Sequence, residues 1–313
     1  MSTALIVTAA SVVWWGALIA VSRVVLLRYG FDPWALSFIQ LCAGGIVLLA
    51  LGGGRSLALA SLRRPATWAL GVLRVASAAL YTAVLAWVSA LEAGTIGAVS
   101  LPLVTLAVWA AFGRRPRLRE LPGHLVILAA IAAVVGGLDP SIRQAVVYLM
   151  LLNAVCIALI AIVAERHPDN LSDEPGARLR FTGAVLLTTA TLFLAARAVG
   201  MGGGAAAAAW DWPLLAAGVA VGVVLRAPSM VLTFWSIRLV GAQNYTAANA
   251  FLPLVGMTLE EAAVGVGLTD VSRFQANVLV LSVVVVVGTL WILRVRFAGR
   301  VAGGASTRKF TCN

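Results

Sequence analysis

The sequence predicts an all-α membrane protein, ten transmembrane helices arranged as two inverted five-helix repeats. Three observations predict this. Of 313 residues, 61% are hydrophobic and 11% charged, against roughly 25% charged in a soluble domain. Ten apolar runs long enough to cross a bilayer follow one another along the chain. Pieces of the third and fourth runs recur in the eighth and ninth. A chain this apolar cannot keep its surface in water, so most of that surface faces lipid.

A helix needs about 20 apolar residues to cross the hydrocarbon. The runs lie at 4–25, 34–52, 66–89, 93–112, 121–138, 145–164, 179–199, 212–237, 244–267 and 275–297. The N-terminus lacks a basic leader region and a small-residue cleavage site before Arg23, so the first run reads as a permanent span. The polar gaps are short. The longest, Glu165 to Arg180, falls near the middle of the chain and reads as a linker between halves. The span count sets the halves at 1–144 and 145–300, with 301–313 a cytoplasmic tail.

Charge tests the count. With the N-terminus in the cytoplasm, sixteen basic residues fall on the inner side and five on the outer, while Arg74 and Arg226 lie within spans. That bias predicts a multi-pass protein of the cell (inner) membrane with both termini inside. The net charge of +11 therefore reflects topology, and no nucleic acid partner is expected. Lys309 is the only lysine beside 22 arginines, so Schiff-base chemistry inside the membrane is excluded. Cys42, Cys156 and Cys312 have no metal or redox spacing and read as inert thiols. No metal or cofactor is expected.

The two halves can be compared residue by residue. Leu101-Pro102-Leu103-Val104 recurs as Leu252-Pro253-Leu254-Val255, an offset of 151, and Thr95 falls on Thr246 at that offset. Leu73-Arg74-x-x-Ser77 recurs as Leu225-Arg226-x-x-Ser229 at 152. Residue types rare inside membranes coincide, Arg with Arg and Pro with Pro. A duplicated unit with an odd number of spans inserts in opposite senses, giving two related faces of the kind that alternating access uses.

The pattern resembles the drug/metabolite transporter superfamily in its EamA-type ten-span form. Trp14-Trp15-Gly16 in the first run is similar to the family's early tryptophan-glycine. Phe31-Asp32-Pro33-Trp34 is similar to its Phe-x-Pro turn, and Pro102 and Pro253 match its mid-helix prolines. The resemblance implies a permease for a small organic metabolite, an amino acid or organic anion, and leaves room for a homodimer. Where the family often ends its fourth and ninth spans with Gly-Glu, this chain has Phe112-Gly113-Arg114 and Glu260-Glu261, so no subfamily or substrate follows.

Candidate residues are the polar and aromatic ones inside the runs. An arginine at the bilayer centre costs about 2.5 kcal/mol or more. Arg226 lies roughly 21 Å along its helix from Trp212, too deep to reach either surface, while Arg74 at roughly 13 Å could snorkel to the cytoplasm. A guanidinium fork suits a carboxylate or phosphate; the alternative for each is a helix-end carbonyl or a buried carboxylate. Gln40, Asn153, Asn244, Tyr245 and Asn249 are interhelical glue or solute contacts, with Asn249 favoured by the carbonyl that Pro253 frees. Trp14, Trp15, Tyr81, Trp87 and Trp235 are candidates to line an aromatic cavity, whereas Trp34, Trp68, Trp210 and Trp212 read as an interfacial belt. Glu260 and Glu92 are candidate coupling groups. The lack of G-x-x-x-x-G-K-[ST] argues against nucleotide hydrolysis.

Two rivals stand beside transport. A membrane enzyme would need a cluster of acid, base or metal ligands, and His124 and His167 are the only histidines. A receptor or assembly subunit predicts a dry bundle centre. A transporter predicts a polar central cavity touched by both halves.

Overall fold

The computed structural model describes residues 2–53, 60–174, 176–201, 210–268 and 275–307. Arg55, Arg273, Arg308 and Lys309, all part of the charge count, lie outside these. The described chain is helical, with α1 (Ser2–Tyr29), α2 (Pro33–Gly52), α3 (Pro65–Leu85), α4 (Ala90–Gly97), α5 (Ser100–Phe112), α6 (Leu121–Gly136), α7 (Pro140–Arg166), the one-turn α8 (Pro168–Leu171), α9 (Ala177–Met201), α10 (Trp212–Val221), α11 (Ala227–Val240), α12 (Ala242–Asn249), α13 (Leu252–Gly265) and α14 (Ala276–Thr307).

Nine helices among the described residues are long and apolar enough to cross a bilayer, counting α4 with α5 and α10 with α11 as single bent helices. This is the mark of a multi-pass membrane protein. The predicted run 244–267 is not among the nine. It appears as α12 and α13, separated by a turn at Ala250 and Phe251, and it carries Asn244, Asn249, Glu260 and Glu261. The polar stretch Glu165 to Arg180 joins α7 to α9, one helix past the expected boundary at 144/145. The last helix runs on to Thr307, beyond the 300 at which the sequence places the start of the tail.

Prolines and caps explain where the helices begin. Pro33, Pro65, Pro140 and Pro168 each open a helix, where the missing N–H costs nothing. Asp32 caps α2 by accepting from Trp34 N (2.7 Å) and Ala35 N (3.1 Å). It also takes a two-pronged ion pair from Arg197 at the end of α9, at 2.8 and 2.5 Å. That guanidinium, ahead of the backbone donors, holds the Asp32 carboxyl below its usual range. Thus Phe31-Asp32-Pro33-Trp34 both starts α2 and ties it to α9. Inside the bundle, Pro102 and Pro253 sit in the first turns of α5 and α13, just past the two breaks.

The helices cross on small residues. A Cβ on Gly45 of α2 would stand 3.1 Å from Gly183 O on α9, and one on Gly183 2.8 Å from Gly45 O. On the other side, Gly123 of α6 and Gly288 of α14 meet in the same reciprocal way, at 2.6 and 2.9 Å. Lipid gives helices no hydrophobic reason to associate, so close backbone approach supplies the packing. Large side chains such as Ile46, Val72 and Trp291 remain exposed on the outside.

The crossing at Gly123 gives a stability test. Gly123→Val would drive a side chain into a backbone carbonyl, and overpacking typically costs about 1–3 kcal/mol. Thermal unfolding in detergent should fall by several degrees, whereas Gly136→Ala, on the same helix with no atom within 4 Å of the added Cβ, should leave it unchanged.

Candidate binding cavity

The site begins with a backbone irregularity. Between α10 and α11 the chain makes a π turn over Gly222–Arg226, with Ala227 N donating to Gly222 O, five residues back. Pro228 has no N–H to offer the Val224 carbonyl four residues earlier. The Trp14 indole of α1 donates to that carbonyl instead, at 2.9 Å. Gly222 and Gly218 let this segment lie directly on Gln40 and Ile39 of α2. Such wide turns recur at functional sites, and this one carries Arg226.

Trp15 is fixed by a hydroxyl hub. Its indole donates to Thr233 Oγ1 at 2.8 Å, and Thr233 donates its own proton to Ser229 O at 2.8 Å. The Tyr245 hydroxyl, 2.9 Å from Thr233 Oγ1, must then be a donor to it. Gly16, the third residue of the Trp14-Trp15-Gly16 motif, faces Val255 of α13, whose Cγ1 would stand 2.5 Å from an added Cβ. One residue of the motif closes a backbone defect, the next presents a ring, and the third admits a neighbouring helix.

That ring stands beside two arginines. The Arg226 guanidinium carbon lies 5.6 Å from the Trp15 ring centroid and that of Arg74 5.9 Å. Arg74 makes no hydrogen bond or ion pair among the described residues, and Arg226 makes one long bond, Nη2 to Gln40 Oε1 at 3.4 Å. The Nε of each is buried and unpartnered. The most buried arginines are treated differently. Arg180 donates to Gly52 O and Glu174, Arg197 to Asp32, and Arg296 to Glu120 and Thr105.

Arg74 and Arg226 line a cavity of about 410 Å³ whose walls come from α1, α3, α4 with α5, α7, the π turn with α11, and α12 with α13. Trp15, Tyr81 and Asn249, all expected from sequence, line it too. So do Ser77 and Asn153, hydrogen-bonded to each other at 2.6 Å. Gln40 stands behind Arg226, bridging it to Ser22 at 3.3 Å, and does not reach the cavity. Trp235 lies elsewhere, its ring 5.2 Å from the Arg178 guanidinium carbon. Trp87 is exposed.

The acidic candidates separate as well. Glu260 lines the cavity and forms an ion pair with Arg23 of α1, another lining residue. Glu92 instead closes a capping box with Ser89, accepting from Ser89 N at 2.7 Å, and is not part of the lining. Pro253 contributes to the wall where an added Cβ on Gly94 would meet its ring at 2.7 Å, while Pro102 does not. Thr233, Ser77 and Arg23 were not singled out from sequence. For Ser77 the signal was its recurrence as Ser229. For Arg23 it was an arginine so close to the end of an apolar run.

At the end of α7 one carboxylate joins three elements. Glu165 of α7 accepts from Arg114 at 2.5 Å and from Ala242 N, at the start of α12, at 2.8 Å. The stretch past α5, the end of α7 and the start of α12 therefore meet on one carboxylate.

No family model matches the sequence, and neither does any curated protein. A solved crystal structure is similar in fold, with a TM-score of 0.65 over 93% of this chain and 97% of that one, at 17% identity. This likeness concerns the fold alone.

The Arg23–Glu260 pair is open to test. Its side chains are 23% and 20% exposed, between the surface and fully buried limits, so its coupling should be roughly 1–2 kcal/mol. R23E should lower the unfolding temperature, and R23E/E260R should recover more than half of the loss. A swap no better than the single variant would mean that the two side chains do not support one another.

Proposed function

We propose that this protein is a secondary-active or facilitative transporter of a small organic anion, working by alternating access between two inverted five-helix halves. The observation that carries the reading is the cavity, lined from both halves, whose mainly apolar wall carries two arginines lacking carboxylate partners. A receptor or assembly subunit with a dry centre has no use for either arginine. A small-molecule site commonly occupies about 300–1,000 Å³, and the cavity of about 410 Å³ lies in that range.

The two-half reading draws on three features. The broken helices correspond at an offset of 152, with α4 (Ala90–Gly97) matching α12 (Ala242–Asn249) and the start of α5 at Ser100 matching that of α13 at Leu252. Taking α12 and α13 as one span gives ten, and exchanging each span with the one five places on maps the main helix contacts onto one another. α3 on α7 exchanges with α1 on α11, α1 on α13 with α5 on α7, and α3 on α9 with α2 on α10; α2 on α9 and α6 on α14 map onto themselves. The cavity walls, from spans one, three, four, six, eight and nine, form a complete set under the same exchange. Inverted repeats with a midplane site are the architecture of many secondary transporters.

In this reading the protein is an EamA-type permease of the cell membrane with both termini inside. The Glu165 cluster closes one face, and the cavity reaches toward the other through Arg23 and Glu260. Glu260 is the coupling candidate, because a proton on it would release Arg23. Comparing metabolites in cells with and without the gene identifies solutes to load into liposomes. For the solute so found, Arg226→Gln should reduce flux at least about tenfold, equivalent to 1.4 kcal/mol, in protein that still unfolds cooperatively. Undiminished flux would remove Arg226 from the solute path.

A further inference from the structure

We infer that the cavity selects a soluble solute bearing two negative charges close together, a dicarboxylate or a phosphate monoester, over one bearing a single charge. The inference rests on the transport reading and narrows its solute class.

The argument is one of charge balance in an apolar bundle. Arg74 and Arg226 both flank Trp15, so their guanidinium carbons are no farther apart than the 5.6 and 5.9 Å legs laid end to end. They repel one another. Among the described residues no carboxylate pairs with either. Two acids line the same cavity: Glu260 is engaged by Arg23, and Glu261 follows it on α13. Trp15 offers its ring to both cations, and cation–π contact at this range is weaker than a carboxylate. Gln40 supplies one long bond to Arg226 and none to Arg74.

The buried Arg180, Arg197 and Arg296 each meet a carboxylate, whereas Arg74 meets none and Arg226 meets only the Gln40 amide oxygen. A monoanion would leave one of two neighbouring cations uncompensated. A dianion satisfies both, and the unpartnered Nε–H groups of Arg74 and Arg226 are donors suited to carboxylate or phosphoryl oxygens. The uncharged wall is mainly apolar, with Ile19, Ile157 and Leu252, and carries Ser77, Asn153, Tyr81 and Asn249 as its hydrogen-bonding groups, which suits the short carbon skeleton that bears the two charges. The positions of the two arginines repeat at the offset of 152, so each half contributes one cation.

The test needs no variant at first. Protein in phosphatidylcholine nanodiscs is titrated with succinate, its monomethyl ester and its diamide, and with glycerol 3-phosphate and glycerol. Succinate should bind at least about tenfold more tightly than the monoester, glycerol 3-phosphate likewise over glycerol, and both dianions should exchange across liposomes. R74Q and R226Q should each remove the preference for diacid over monoester, with R74K and R226K retaining part of it. Equal binding of diacid and monoester would overturn the dianion inference and leave an anion transporter standing. Binding and flux of neutral or cationic solutes only would overturn both readings. Displacement of bound succinate by phosphatidic acid in the nanodisc, without exchange of succinate across liposomes, would assign the pair to a lipid headgroup and overturn the soluble solute.

Discussion

A guanidinium group cannot be left dry among apolar helices. At the bilayer centre an arginine costs about 2.5 kcal/mol on the lowest scale, and two placed together cost more because they repel. Arg74 and Arg226 point into a cavity, and other irregular features of the chain surround that cavity. The π turn over Gly222–Arg226 carries one arginine, Trp14 repairs the carbonyl that Pro228 strands, and Thr233 fixes the ring beside which both cations stand.

Two tight crossings of the molecule lie away from these irregularities, and a third, of α2 on the π turn at Gly222, lies at one of them. α2 meets α9 and α6 meets α14 through reciprocal glycine contacts, backbone against backbone, and such crossings resist deformation. The broken helices α4–α5 and α12–α13 stand at the cavity, each with a proline in the first turn of its second piece. Breaks of this kind concentrate bending where the backbone already lacks a hydrogen bond. The proposed motion follows from that division: rigid crossings hold the scaffold while the broken helices and the Arg23–Glu260 and Arg114–Glu165 contacts open or close the two ends.

Much of this was legible in the residues. Hydropathy located the helices because lipid demands long apolar runs, and Arg74, Arg226, Pro102 and Pro253 stood out because each is rare in such runs. Hydropathy read α12 and α13 as one run, 244–267, and did not show the turn at Ala250 and Phe251 that divides it, because a helix break changes no side chain's polarity. It also could not separate the roles of like residues. Glu92 and Glu260 look alike in sequence, but one follows a serine by three residues and caps a helix, a pattern readable in retrospect as Ser89-x-x-Glu92. Trp15 and Trp235 differ only in which face of a helix they occupy. Gln40 reaches Arg226 from a span 186 residues away, a pairing that no local pattern encodes.

The central claim is that Arg74 and Arg226 face water that communicates with both sides of the membrane in turn. Cysteine accessibility at Ser77, one helical turn past Arg74 on the cavity wall, tests it most directly. In a background lacking Cys42, Cys156 and Cys312, Ser77→Cys is exposed to a membrane-impermeant thiol reagent in right-side-out and in inside-out vesicles. The account predicts labelling from both sides, with an added solute shifting the two rates in opposite directions. Labelling from neither side, or from one side only whatever solute is present, would contradict it.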